Sequence, residues 1–311
     1  MEQLLGGLRA AAEPTRMRLL KVCAQQELTV SELTRILGQS QPRISRHLKL
    51  LCDAGLMERV SEGAWAYFHL VGSGPAADLA RQIIDLIPER DTTVARDMER
   101  LAAVMDERAG AAAAFFRQNA AAWDKIRSLH IEEPKLEGAV ARLFPAGDVG
   151  DFLDIGTGTG RMLVLLGDRA RTGIGLDASR EMLAVARVNL ANAERHNCTV
   201  RQGDMYDLPW SAPSFDAATL HMVLHYAGNP QAVVKEAARV LRPGGTLLIA
   251  DFAPHAVEML RTEEAHQRMG FATAEIRRWM KEAGLTPAAA EELPGDPLTV
   301  MIWTGVKERS R

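Results

Sequence analysis

Asp154-Ile155-Gly156-Thr157-Gly158-Thr159-Gly160 closes a short apolar run and opens a helical one. Glycine lets a backbone turn tightly and approach a ligand closely. Such a turn alone is shared with dinucleotide folds, where the glycines cradle a pyrophosphate at a helix N-terminus. Here an acidic residue, Asp154, stands at the strand end just before the glycines, which suits a ligand bearing an ammonium group. A capping or turn-forming aspartate is the plainer alternative. Working outward, Phe152–Ile155, Thr172–Leu176, Thr199–Gln202, Ala217–Leu220 and Thr246–Ala250 are short apolar runs separated by helical segments. Repeated strand–helix units predict a parallel, doubly wound sheet. Asp177 ends the second run, about where a carboxylate accepts hydrogen bonds from both hydroxyls of a ribose.

The chain before residue 130 is written differently. Residues 2–25 read as helical, with Leu4, Leu8, Leu19 and Leu20 as an apolar face and a break at Pro14. Val30–Leu37 forms a short helix that Gly38 ends, since glycine suits the left-handed residue after a helix. Ser40 caps a second helix, with Pro42 harmless in its first turn, and this helix runs to about Asp53. Helix, glycine turn, helix is a helix-turn-helix arrangement. Leu56–Val60 and Ala64–Leu70 read as a hairpin around Ser61-Glu62-Gly63. In the second helix Ile44, Leu48 and Leu51 face a core, and Gln41, Arg43, Ser45, Arg46, His47 and Lys49 cover the rest. Arg and Gln reach base edges in the major groove, while Ser and Lys suit phosphates. A solvated helix face is the bland alternative; the following hairpin, with Arg59 and Trp65, favours a nucleic-acid surface. Leu79, Ile83, Ile84 and Ile87 then form one apolar stripe at helical spacing. An Ala-rich helical region follows from Thr92 to Leu129.

Length and composition bound the rest. A chain of 311 residues with 47% hydrophobic and 25% charged residues suits two globular domains. Residues 1–72 carry nine Lys/Arg against seven Asp/Glu, a balance too even to imply nucleic acid by itself. Cys23, Cys52 and Cys198 lack pairing or metal spacing, which points to a reducing compartment. No apolar run approaches the ~18 residues that span a bilayer. A cytoplasmic protein without a membrane partner is expected.

Several motifs of the first half, taken in order, resemble the ArsR/SmtB family of dimeric bacterial repressors. They are Glu13-Pro14-Thr15-Arg16, Glu27-Leu28-Thr29-Val30-Ser31-Glu32-Leu33, Ser40-Gln41-Pro42-Arg43-Ile44-Ser45-Arg46-His47-Leu48 and Glu62-Gly63-Ala64-Trp65-Ala66-Tyr67-Phe68. The resemblance implies a winged helix-turn-helix, a double-stranded DNA operator as partner, and a homodimer in which Ala76–Leu86 pairs with the N-terminal helix. Thr29 and Ser31 stand where metal-sensing members carry cysteines, and 76–88 holds no His or Cys. Borderline-soft metals need thiolate or imidazole clusters. No metal is expected.

The second half resembles class I S-adenosylmethionine (SAM)-dependent methyltransferases of the quinone- and small-molecule-methylating branch. The resemblance rests on the Asp154–Gly160 turn, on Asp177, on Asp204-Met205 after the third strand, and on Leu241-Arg242-Pro243-Gly244-Gly245-Thr246. It implies SAM or S-adenosylhomocysteine (SAH) as ligand. Asp154, Gly156, Gly158 and Gly160 would hold the amino-acid half, Asp177 and Met182 the ribose, and Asp204 and Met205 the adenine. His221 and His225 follow the fourth strand, where a base for an acceptor could stand; structural histidines are the alternative. His255, Glu264 and His266 match no standard metal spacing and fit a cavity or interface better.

The expected fold is therefore an α+β winged helix-turn-helix domain (1–90), a helical linker (91–132) and an α/β Rossmann-like methyltransferase domain (133–311), doubly wound and mostly parallel. The whole resembles proteobacterial regulators associated with SAH sensing and methionine-cycle genes. That implies a transcriptional regulator that reads SAM or SAH. A true small-molecule methyltransferase with a regulatory DNA-binding end is the second reading, and a purely dimer-stabilising second half a weaker third.

Overall fold

The computed structural model describes residues 2–62, 65–72, 74–88, 90–108, 133–257, 260 and 266–308. The chain divides into two compact units, Met1–Ala112 and Ala113–Arg311.

The first unit opens with α1 (Glu2–Ala11) and α2 (Pro14–Cys23), separated where Pro14 restarts the helix. Glu13 caps α2 by accepting the Arg16 N–H. Leu19 and Leu20 are fully buried, but Leu4 and Leu8 are exposed, contrary to the expectation of one apolar face. β1 (Leu28–Thr29) leads into α3 (Val30–Leu37). Thr29 and Glu32 form a reciprocal capping box, and Gly38 closes α3 at φ 65°. α4 (Gln41–Asp53) buries Ile44, Leu48 and Leu51, and Ser40 stands at its N-cap without a side-chain capping hydrogen bond. β2 (Met57–Glu62) and β3 (Trp65–Leu70) pair antiparallel, with Met57 opposite Leu70, and β1 adds to the far edge of β3. β2 reaches two residues further toward the tip than the sequence suggests; residues 63–64 lie outside the described residues.

α5 (Pro75–Asp85) buries Ala77, Ala80, Ile83 and Ile84. The next helix, α6 (92–108), departs from expectation. Its first part is no linker: Leu101 and Val104 are buried in the same core as Leu20, Leu33 and Ile44. Burying two such side chains is worth about 1.5–3 kcal/mol each, which keeps this helix with the first unit. The rest of the expected helical region, from 109 on, lies outside the described residues.

The second unit begins with α7 (Glu133–Leu143). β4 (Asp151–Ile155), α8 (Arg161–Leu166), β5 (Thr172–Asp177), α9 (Arg180–Asn192) and β6 (Cys198–Gln202) follow. Then come β7 (Phe215–His221), α10 (Pro230–Val240), β8 (Leu241–Phe252), α11 (Thr273–Glu282), β9 (Leu285–Leu293) and β10 (Val300–Lys307). Seven strands form one sheet in the order β6-β5-β4-β7-β8-β10-β9. The first five are parallel, in register such as Leu153 beside Ile174 and Ala218. β10 runs antiparallel between β8 and β9, an addition the sequence reading missed. Neighbouring strand residues bury on opposite faces. Phe152, Ala217 and Leu248 pack with α7, α8 and α9; Leu153, Ala218 and Leu247 pack with α10 and α11. Both faces are covered, which is why the parallel strands read as continuous apolar runs. Among the described residues no helix is long and apolar enough to cross a membrane.

Candidate functional site

Strand order fixes where a ligand fits. β4 lies between β5 and β7, so connections leave it toward opposite sides of the sheet, and such switch points form ligand crevices at the strands' carboxyl ends. The glycine turn stands there. Gly156, Gly158 and Gly160 all have left-handed φ values of 71°, 52° and 78°. Only glycine takes these without strain. A Cβ on Gly156 would lie 2.2 Å from Val223 Cγ2, so the loop after β7 packs directly on the turn. At Gly158 a Cβ would meet nothing within 4 Å, leaving open space beside the turn. Backbone N–H groups of Gly156 and Thr157 donate to Leu176 O at 2.7 and 2.9 Å.

The carboxylates around this turn differ. Asp177 accepts the Gly158 N–H at 2.8 Å on one oxygen and the Ser179 N–H at 2.8 Å on the other. Asp154 lies beneath the turn, 1% exposed. Its oxygens accept hydroxyls from Thr157 at 2.6 Å and Thr219 at 2.5 Å. Burial raises its pKa to about 6, against the lowering effect of those two hydroxyls. Neither threonine was singled out from sequence: Thr219 is a partner of Asp154 only once β4 and β7 are neighbours, and Thr157 reaches it only once the turn folds back over the strand end. Met182 is half-buried at the start of α9, behind the Ser179 cap. Asp204 is exposed and accepts the Tyr206 N–H at 2.9 Å, while Met205 packs against the core on the α10 face. Tyr206, also unmarked by sequence, accepts the Asn229 N–H through its hydroxyl at 3.2 Å. The residues Asp154, Gly156, Gly158, Gly160 and Asp177 are thus brought together at the carboxyl ends of β4 and β5, with Asp204 and Met205 following the next strand.

The two histidines after β7 part company. His221 is half-buried at the strand end. His225 is 2% exposed, its Nδ1 2.8 Å from Asp251 Oδ1 and its ring 4.1 Å from that of His266. A side chain walled in by Tyr226, Phe252 and His266 is placed to hold the loop rather than to meet an acceptor. Burial also lowers the pKa of His266, to about 4. Glu264 lies outside the described residues. Among those described, no group of three or more His, Cys, Asp or Glu is arranged to hold a metal.

On the first unit, Gln41, Arg43, Ser45, Arg46 and Lys49 are exposed along α4, and Arg59 is exposed on β2. His47 is the exception: it is only 12% exposed, with Nδ1 3.7 Å from Glu13 Oε2. Burial lowers its pKa, opposed by Glu13. Arg43 stands 4.0 Å from the other Glu13 oxygen. His47 therefore belongs to the contact between α2 and α4 more than to the exposed face.

Known proteins agree with this division. Residues 13–59 match the model of the bacterial regulatory protein arsR family, and residues 153–249 match a methyltransferase domain model. The chain is 29% identical over 197 residues to 27-O-demethylrifamycin SV methyltransferase of Amycolatopsis mediterranei (strain S699), covering 60% of this chain and 71% of that protein. It is 29% identical over 159 residues to demethylmenaquinone methyltransferase of Clavibacter sepedonicus, covering 50% and 64%. It is 34% identical over 103 residues to the uncharacterized methyltransferase YcgJ of Bacillus subtilis (strain 168), covering 33% and 41%. The matched stretch is thus less than two thirds of the latter two. The crystal structure of YcgJ protein superposes with a TM-score of 0.51 at 20% identity, over 57% of this chain and all of that one, a likeness of fold. The chain therefore joins a segment that matches the bacterial regulatory protein arsR family to a methyltransferase domain.

Proposed function

We propose that this protein is an ArsR-type transcriptional regulator, a repressor, whose methyltransferase-fold unit binds SAM or SAH as a sensory ligand. The observation that carries this reading is the glycine turn at the sheet's switch point, tied to Asp177, in one chain with an arsR-family α4. Backbone N–H groups and Asp177 would meet the ligand's polar atoms. Asp154 acts from beneath the turn on its ammonium, and Asp204 and Met205 on its adenine. Exposed Gln41, Arg43, Ser45, Arg46, Lys49 and Arg59 would meet operator DNA. SAH is left by every SAM-dependent methyl transfer, so genes of the methionine and SAM cycle are the sensible targets. A cytoplasmic homodimer fits this role. Leu4, Leu5 and Leu8 on α1 are exposed, and Leu86 after α5 is 80% exposed, which supports a second copy covering them.

A second reading, methyl transfer to a small molecule, is favoured by the relatives named as methyltransferases. The enclosure of His225 weighs against it. Two measurements test the proposal. Selection of bound duplexes from a random pool should enrich one sequence, and isothermal titration should show SAH or SAM binding at micromolar affinity or better. A pool without enrichment, or a calorimetric trace without binding, contradicts it. Incubation with methyl-labelled SAM and the enriched cellular small-molecule fraction should give no labelled product; steady turnover would favour the enzyme.

A further inference from the structure

We infer that α6 is the coupling element between the two units, and that Arg18, Arg100 and Arg108 are positioning residues for the DNA-reading helix. This inference rests on the regulator reading above and names how that site is regulated.

The helix-turn-helix is held from behind. Asp97, on α6, is 1% exposed and takes both arms of Arg18, at 2.6 and 2.7 Å. The same guanidinium donates to Leu37 O at 2.9 Å, the last carbonyl of α3. Arg100, one turn further along α6, donates to Ile36 O at 3.1 Å. Its Nη1 comes so near the turn that a Cβ on Gly38 would lie 2.9 Å away. Near the far end Arg108 donates to both oxygens of Glu32 at 2.9 and 2.8 Å and reaches Glu27 O. Glu32 also caps the start of α3.

These contacts have one target. They grip α3 at both ends and the Gly38 turn that sets the angle between α3 and α4. Bidentate guanidinium–carboxylate pairs fix orientation as well as distance. None of the partners lies on the exposed face of α4. Past Arg108 the chain continues through 109–132 into the second unit, so α6 is the described helix of the first unit nearest in sequence to it. A ligand changes DNA affinity only by the difference it makes between two arrangements of the reading head. On this inference the α6 grip is the contact that differs between those arrangements, made in one and loosened in the other.

The test uses the full-length protein, a duplex enriched from a random pool, and SAH. Fluorescence anisotropy gives the operator Kd with and without saturating SAH; calorimetry gives SAH affinity. Wild type should show at least a fivefold ratio between the two Kd values. Arg108→Gln should bring that ratio to within twofold of one, with SAH affinity changed by less than twofold. Arg108 is the first choice because the apolar contacts of Leu101 and Val104 stay in place. Asp97→Asn should act in the same direction, checked for folding by its thermal transition. A wild-type ratio preserved in both folded variants overturns the coupling role of α6. A wild-type ratio of one would instead overturn the sensor reading, which separates the two failures.

Discussion

Asp177, at the end of β5, accepts the backbone N–H of Gly158 in the turn after β4 at 2.8 Å. One carboxylate thus belongs both to the site's wall and to its floor. On the proposed function its replacement removes a ligand partner together with the brace of the turn. Asp177→Ala is expected to weaken SAH binding more than tenfold by isothermal titration; an unchanged affinity would place the ligand elsewhere.

Asp154 makes stability depend on pH. Its pKa in the folded chain is raised from 3.8 to about 6, chiefly by burial. Between those values the folded state binds more protons than the unfolded one, so stability falls as pH rises. The cost is absent below about pH 4 and complete above about pH 6, on the order of 3 kcal/mol. Urea unfolding of wild type and Asp154→Asn across pH 4 to 7 reads this directly. The asparagine variant should gain relative to wild type as pH rises; parallel profiles would contradict the buried charge.

Asp251 is fully buried and serves His225 Nδ1 at 2.8 Å, the His225 N–H at 3.2 Å and the Phe252 N–H at 2.8 Å. Removing it leaves three buried donors without that acceptor. Leaving buried donors unsatisfied costs about 1–3 kcal/mol each, or about 3–5 kcal/mol here in all. Asp251→Ala is expected to lower unfolding free energy by about that much in urea titration. A loss below about 1 kcal/mol would mean that His225 is not holding the loop.

Arg46 is exposed on α4 among residues that would meet DNA. Arg46→Ala should weaken operator binding by about tenfold, the scale of a lost base contact of 1–3 kcal/mol, and leave SAH affinity intact. Loss of both would make Arg46 a structural residue.

Much of this was legible in the sequence for local reasons. The bounds of α3 follow from Thr29 and Gly38, and the turn after β4 from three glycines at alternate positions. What was not legible depends on partners far along the chain. Asp97, Arg100 and Arg108 look like a solvated helix face until Arg18, Ile36 and Glu32 are placed beside them. His47 looks like a DNA contact until Glu13 closes on it. β9 carries Pro287-Ala288-Ala289-Ala290-Glu291, without the alternation of a half-buried strand, because it is the sheet's edge and much of it is exposed. Leu4 and Leu8 read as a core face at helical spacing; spacing marks a face as apolar but does not say what covers it.

On the proposed function a metabolite bound in the second unit sets the DNA affinity of the first. The most direct test is an anisotropy titration of the full-length protein on its enriched duplex, at fixed salt, with and without saturating SAH. SAH is expected to change the operator Kd by at least fivefold, with no such change for Asp177→Ala. Identical wild-type curves in the presence and absence of SAH would contradict it.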